Sequence, residues 1–199
     1  MFNILTKNQI KIMQVFTGNI TRSFSIRGVA TLLKKDHSLI FKSIKPLIEN
    51  KVLLQTEENR LVLNYKENLS LLAYIESIRA SEFLNRNKSL SLFLADVLAL
   101  FENEFFVIFI FGSAVTKESP RDIDLCIILE SDFENKEKAV RNISSNFSIN
   151  LDLNIVTAKS IYEMAIIREQ KNIFNEALNN HIVLAGFDNF FWMVKNARR

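Results

Sequence analysis

Phe105-Phe-Val-Ile-Phe-Ile-Phe111-Gly112-Ser113, eight spacer residues, and then Asp122-Ile-Asp124-Leu-Cys-Ile-Ile-Leu129 form the stretch on which the reading of this chain turns. The aromatic and β-branched run 105–111 suits a strand buried on both faces. It stops at Gly112, one of only four glycines in the chain, so a backbone task is expected there: a turn that lets the main chain approach a ligand closely. Ser113 and the amides after it then offer N–H donors and a hydroxyl to phosphate oxygens. In the second run, side chains at i and i+2 share a face. Asp122 and Asp124 therefore project together, while Ile123, Leu125 and Ile127 turn the other way into a core. Two neighbouring ionised carboxylates repel. A divalent cation with hard oxygen ligands relieves that repulsion, and Mg²⁺ suits the donor set.

Downstream, Ile149 to Val156 alternates without a break, with Ile149, Leu151, Leu153 and Ile155 on one face and Asn150, Asp152 and Asn154 on the other. A strand burying the first face turns Asp152 toward the same cleft as a third carboxylate. Gly-Ser, a short spacer, Asp-x-Asp on a strand and a later strand Asp, in this order, resemble the DNA polymerase β-like nucleotidyltransferase superfamily. The closest likeness is to its minimal archaeal and bacterial members. It extends over about residues 88–186, including His181-Ile-Val-Leu-Ala-Gly186, which is similar to the closing segment of such domains. The resemblance implies that Asp122 and Asp124 hold two Mg²⁺ ions and that Asp152 shares the ion that activates an acceptor hydroxyl. It further implies that Gly112 and Ser113 hold the triphosphate of an NTP, with ATP the expected one. Attack at the α-phosphorus would transfer a nucleoside monophosphate and release pyrophosphate, with two metals about 4 Å apart stabilising the entering and leaving oxygens.

Other residues invite a chemical reading and are given a plainer one. Cys126 shares the face of the two aspartates and is expected to be a small buried residue, not a nucleophile. Arg168 and Lys171 are read as solvated surface. His37 and His181 fall in different modules, which argues against a shared metal site. The seventeen phenylalanines read as core filling, and Phe190, Phe191 and Trp192 as a cap on the domain end or a contact patch.

The N-terminal third has a different character. Residues 1–65 hold ten Lys/Arg against four Asp/Glu, a net charge of +6, whereas the rest of the chain is at −3. Such asymmetry points to a basic module joined to something different. Thr6 is expected to cap a helix to about Phe16, with Gly18 as a left-handed stop. Ser25 caps a second helix over Ile26–Lys35, and a third runs from His37 to about Asn50, with Ile40, Ile44, Leu47 and Ile48 on its core side. Two short apolar stretches around Thr56-Glu-Glu-Asn59 then read as a β-hairpin. Helix, helix, turn, helix, hairpin is the order of a winged helix-turn-helix, and Ser25 to Leu53 resembles that region of winged-helix regulators. The resemblance implies a recognition helix presenting His37, Ser38, Lys42 and Lys45 to DNA or RNA. The acidic tip at Glu57 and Glu58 and Pro46 inside the third helix depart from that pattern. A protein-docking adaptor is the alternative.

Asn68 to Leu84 has helical spacing, with Leu71, Leu72, Ile75, Ile78 and Phe83 on one side, and a second helix follows over Leu90–Phe101. The expected organisation is α+β: a winged helix-turn-helix at 1–65, a connecting helix at 66–87, and a nucleotidyltransferase-like α/β domain with a small mixed sheet at 88–199. With 48% apolar and 24% charged residues the chain is no disordered polymer. Its longest apolar run is far too short to span a bilayer, so no membrane partner is expected. One cysteine excludes an internal disulfide. The first residues lack the pattern of a signal peptide, and a cytoplasmic setting is the expectation. Two rival functions stand beside transfer: a regulator whose second domain only senses a nucleotide, and a toxin–antitoxin component that modifies a partner protein.

Overall fold

The computed structural model describes residues 5–101, 104–117, 120–166 and 172–197. Arg168 and Lys171 lie outside these. The chain is of mixed α and β class, as expected, with a two-stranded and a four-stranded sheet among the described residues.

Three helices open the chain: α1 (Lys7–Thr17), α2 (Ile26–Leu33) and α3 (His37–Glu49). Each begins where a short polar side chain takes up an otherwise orphaned helix amide. The Gln9 amide donates to Thr6 Oγ1 at 3.3 Å, and Gln9 Oε1 accepts from the Thr6 amide at 2.9 Å, a reciprocal capping box. Ser25 Oγ accepts from Gly28 at 3.0 Å, and Asp36 Oδ1 accepts from Ser38 and Leu39 at 2.8 and 3.2 Å. Strands β1 (Leu53–Gln55) and β2 (Leu61–Leu63) pair antiparallel, and Phe24 bridges to Leu61. One expectation fails here. Gly18 is right-handed at φ −78°, and its value is its size: the Arg79 guanidinium lies where a Cβ would stand, 2.7 Å away.

The helix α4 (Leu69–Leu84) packs between α1 and the large sheet, and α5 (Lys88–Leu98) follows, ending in a 3₁₀ turn. The large sheet takes β3 (Val107–Phe111), β4 (Ile123–Leu129), β5 (Leu151–Thr157) and β6 (His181–Ala185) in the order β5-β4-β3-β6. β3 is antiparallel to both neighbours and β4 is parallel to β5. Every residue of β3 is buried, which is what an apolar run with no polar alternation demands. Between the strands lie α6 (Ser113–Thr116), α7 (Phe133–Asn146), α8 (Ala158–Ile166) and α9 (Ile173–Ala177), and α10 (Phe187–Ala197) closes the described chain. The turn into α10 needs Gly186: at φ +75°, a Cβ there would stand 2.3 Å from the Phe106 carbonyl oxygen.

Two cores result. On one face of the sheet, Ile108, Ile110, Leu125 and Ile127 pack with Phe93 and Val97 of α5 and Val140 of α7. On the other, Phe109, Cys126, Ile128 and Phe190 join a cluster that runs without interruption through Leu72 and Ile75 of α4 into Ile12, Phe16, Ile40 and Ile44 of the first three helices. The N-terminal helices and the sheet thus share one hydrophobic core. Phe190 and Phe191 are buried in it, while Trp192 is 52% exposed, so the aromatic triplet divides between core and surface. Among the described residues no helix is long and apolar enough to cross a membrane.

Candidate active site

The chemistry-bearing residues of the opening motif gather at one end of the large sheet. There β3 ends and β4, β5 and β6 begin, so one row of paired residues crosses all four strands: Asp152 on β5, Asp124 on β4, Phe111 on β3 and His181 on β6. The parallel register sets Asp124 directly beside Asp152, with the strands about 4.8 Å apart as in any sheet. Asp122 precedes Asp124 by two residues. It lies in the bend before β4, not on the strand as expected, and the chain there is tied to Asn150, the residue before β5: the Ile123 amide donates to the Asn150 carbonyl at 2.9 Å, and Asn150 Nδ2 donates to the Arg121 carbonyl at 3.2 Å.

Gly112 closes the site from β3. Its backbone stands at φ +66°, ψ −140°, a conformation that side-chain-bearing residues avoid. A Cβ there would lie 2.5 Å from Asp124 Oδ2. The glycine is thus required twice, by conformation and by the carboxylate pressed against its Cα. Asn180, in the turn before β6, donates from Nδ2 to the Gly112 carbonyl at 2.9 Å and so fixes the turn from outside. Burial holds the Asp124 carboxyl above its ordinary value, and the charges of Asp122 and Asp152 push it further. The Ser113 backbone N–H opposes the shift, while Glu176 of α9 adds to it. Asp152 is exposed and Asp122 half-buried. Among the described residues no three His, Cys, Asp or Glu side chains already converge on a single cation position. What the fold provides is a charged sheet end with hard oxygen donors, the set that suits Mg²⁺.

Asn180 and Glu176 are the members that sequence reading missed. Neither belongs to the motif, and each reaches the site only because β6 lies beside β3. Cys126 is fully buried, and burial pushes its thiol far up, so it is inert packing as expected. His181 is also fully buried. Neither ring nitrogen makes a well-formed hydrogen bond, and burial, opposed by Glu76 3.8 Å away, holds the imidazole neutral with a pKa of about 4.

The four α3 residues do not join this group. His37, Ser38, Lys42 and Lys45 are exposed on a helix that packs on α1, α2 and β1. The Ser38 hydroxyl donates to Asp36 at 2.6 Å, so it serves the helix cap. Lys45 lies 3.9 Å from Glu49, a solvated pair. Leu39 and Phe41 are also exposed there, at 41% and 52%, so this surface is not uniformly polar. Comparison with models of known protein families, with curated proteins and with solved structures finds no match to this chain.

Proposed function

We propose that the protein is a Mg²⁺-dependent nucleotidyltransferase of the polymerase β-like type, moving a nucleoside monophosphate from an NTP to an acceptor hydroxyl. One observation carries the reading: Asp124 stands in register beside Asp152, with the Gly112 turn pressed against the Asp124 carboxylate. A purely structural sheet end has no reason to place two carboxylates side by side and then force a third backbone against one of them. Asp122, Asp124 and Asp152 would hold the metal ions, whose chemistry is to neutralise the reacting phosphate and lower the pKa of the attacking hydroxyl. The chain's own part is positioning. The Gly112–Ser113 turn brings backbone amides to the phosphate chain without a side chain in the way. Asp152, the most exposed of the three, faces the solvent from which an acceptor arrives. Burial raises the Asp124 pKa most, and the charges of Asp122 and Asp152 raise it further; that repulsion is what a bound cation would remove.

We infer also that residues 1–65 form a winged helix that docks on DNA or RNA. The support is the element order, the net +6 charge, and the exposure of His37, Lys42 and Lys45 on α3. Transfer is tested by incubating the full chain with Mg²⁺ and each α-labelled NTP in the presence of protein or RNA acceptors. Label should pass to an acceptor with release of pyrophosphate, and Asp124→Asn should abolish it. No transfer from any NTP, together with no Mg²⁺-dependent nucleotide binding, would sink the proposal.

A further inference from the structure

The turn between α1 and α2 faces the segment between α9 and β6 across a polar cleft of about 570 Å³, lined also by Val115 and Thr116 of α6 and by Asn180, which holds the Gly112 carbonyl. Its two walls are fastened together. The Ile20 amide donates to the Leu178 carbonyl at 2.8 Å. The Thr21 amide donates to Asn179 Oδ1 at 3.1 Å, and Asn179 Nδ2 returns a bond to Thr21 Oγ1 at 2.6 Å. The next residue on one wall is Arg22. The next on the other is Asn180, which holds the Gly112 carbonyl. A side chain of the N-terminal unit is therefore delivered to the border of the candidate site by a short run of hydrogen bonds.

Charge says what the cleft receives. Its lining holds two cations. Arg79 is already neutralised by Glu76 at 2.6 Å and donates to the His181 carbonyl. Arg22 is exposed, donates only to Asn19 Oδ1 at 3.2 Å, and has no ion pair among the described residues. Thr116 of α6 and Asn180 add polar groups to the same lining, and the Glu176 carboxylate belongs to it as well and also acts on Asp124. Metal ions held by the aspartates would carry part of the phosphate charge, and a cation from the protein would add a contact that fixes the phosphate chain in place. A guanidinium is the group whose fork matches phosphate oxygens.

We propose that this cleft seats the β- and γ-phosphates of the nucleotide and that Arg22, carried on the N-terminal unit, is their counter-ion. The proposal rests on the nucleotidyltransferase reading above and adds that the N-terminal unit completes the substrate site. Calorimetric binding of ATP, AMP and inorganic tripolyphosphate, each with Mg²⁺, to the full chain tests it in wild type, Arg22→Glu, Arg22→Lys and Asp124→Asn. Arg22→Glu should weaken ATP and tripolyphosphate about tenfold or more, the scale of a lost charge-assisted contact. It should leave AMP affinity and the ligand-free melting temperature unchanged. Arg22→Lys should fall between, because it keeps the charge and loses the fork. ATP binding by Arg22→Glu equal to wild type, with Mg²⁺-dependent binding lost in Asp124→Asn, would overturn the role of Arg22 and leave the metal site standing. An equal loss for AMP would move the contact off the terminal phosphates and overturn it too. A wild-type protein that binds neither ATP nor tripolyphosphate overturns both readings.

Discussion

Asp124 concentrates the electrostatic tension of the molecule. Burial first, then the charges of Asp122 and Asp152, hold its carboxyl above the ordinary 3.8. The folded protein thus keeps this proton more readily than the unfolded chain does. The stability it contributes is whole below 3.8 and is lost as pH rises through the raised value. His181 acts in the opposite sense. With its pKa lowered from 6.5 to about 4, its contribution is whole above 6.5 and is lost as pH falls through about 4. Comparing wild type with Asp124→Asn at each pH cancels the histidine and isolates the aspartate. Without metal, the variant should melt higher than wild type at neutral pH, and the gain should shrink as pH falls toward 3.8. Added Mg²⁺ should stabilise wild type and not the variant. Melting curves in chelator and in Mg²⁺ measure both, and identical curves for the two proteins at neutral pH would contradict the account.

At the scale of elements, α4 decides how the two ends of the chain meet. Its spacing points to Leu71, Leu72, Ile75, Ile78 and Phe83 as the buried side. Leu72 and Ile75 are buried as expected, but Leu71, Ile78 and Phe83 are only half-buried, and Ala73, Glu76 and Ala80 complete a buried side that includes a carboxylate. Glu76 is tolerated there because every demand of its charge is met. Arg79 donates to both its oxygens at 2.8 and 2.6 Å, and the Val183 amide of β6 donates to Oε1 at 2.9 Å. Arg79 in turn holds the His181 carbonyl at 2.8 Å, one residue from Asn180. Glu76→Ala strands a half-buried guanidinium and a buried strand amide, and should destabilise by about 2–4 kcal/mol in denaturant unfolding. Replacing both members, as in Glu76→Leu with Arg79→Met, should recover much of that loss, since apolar residues of similar volume often substitute for a buried pair. A double variant no more stable than Glu76→Ala would show that the pair does more than satisfy itself.

Across the whole molecule, the continuous core from Ile12 and Phe16 through Leu72 and Ile75 to Phe109 and Phe190 couples the basic N-terminal unit to the sheet. Nucleic-acid binding is therefore best measured on the full chain, because residues 1–65 alone would expose the side that packs on α4. If α3 docks on duplex DNA, Lys42→Ala with Lys45→Ala should flatten the slope of log K against log[salt] by about two units, at roughly 0.9 per phosphate contact. Mg²⁺-dependent ATP binding should be unaffected, since both lysines lie on the exposed side of α3 and the aspartates lie at the end of the large sheet. A slope unchanged by the double substitution would favour a protein-docking role for α3, in keeping with its exposed Leu39 and Phe41.

Several features were legible without any structure because their causes are local. Thr6, Ser25 and Asp36 start helices through bonds that span at most three residues. The unbroken apolar run 107–111 is buried throughout, as its lack of polar alternation demands, whereas of the two aspartates read onto one strand only Asp124 lies on β4 and Asp122 falls in the bend before it. Glycine after the first strand likewise announced a backbone that other residues avoid, although its contact with Asp124 emerged only in the folded chain. Gly18 shows the limit of that logic: its neighbour Arg79 is sixty-one positions away, and the space it leaves, not its dihedral freedom, is what the fold uses. Everything that depends on strand order lay beyond the sequence. The register setting Asp124 beside Asp152, the placing of β6 next to β3 that brings Asn180 to Gly112, and the burial of Glu76 and His181 follow from which surfaces pack together. Local pattern determines which face of an element is apolar, and only the balance of long-range burial and hydrogen bonding decides which face of another element covers it.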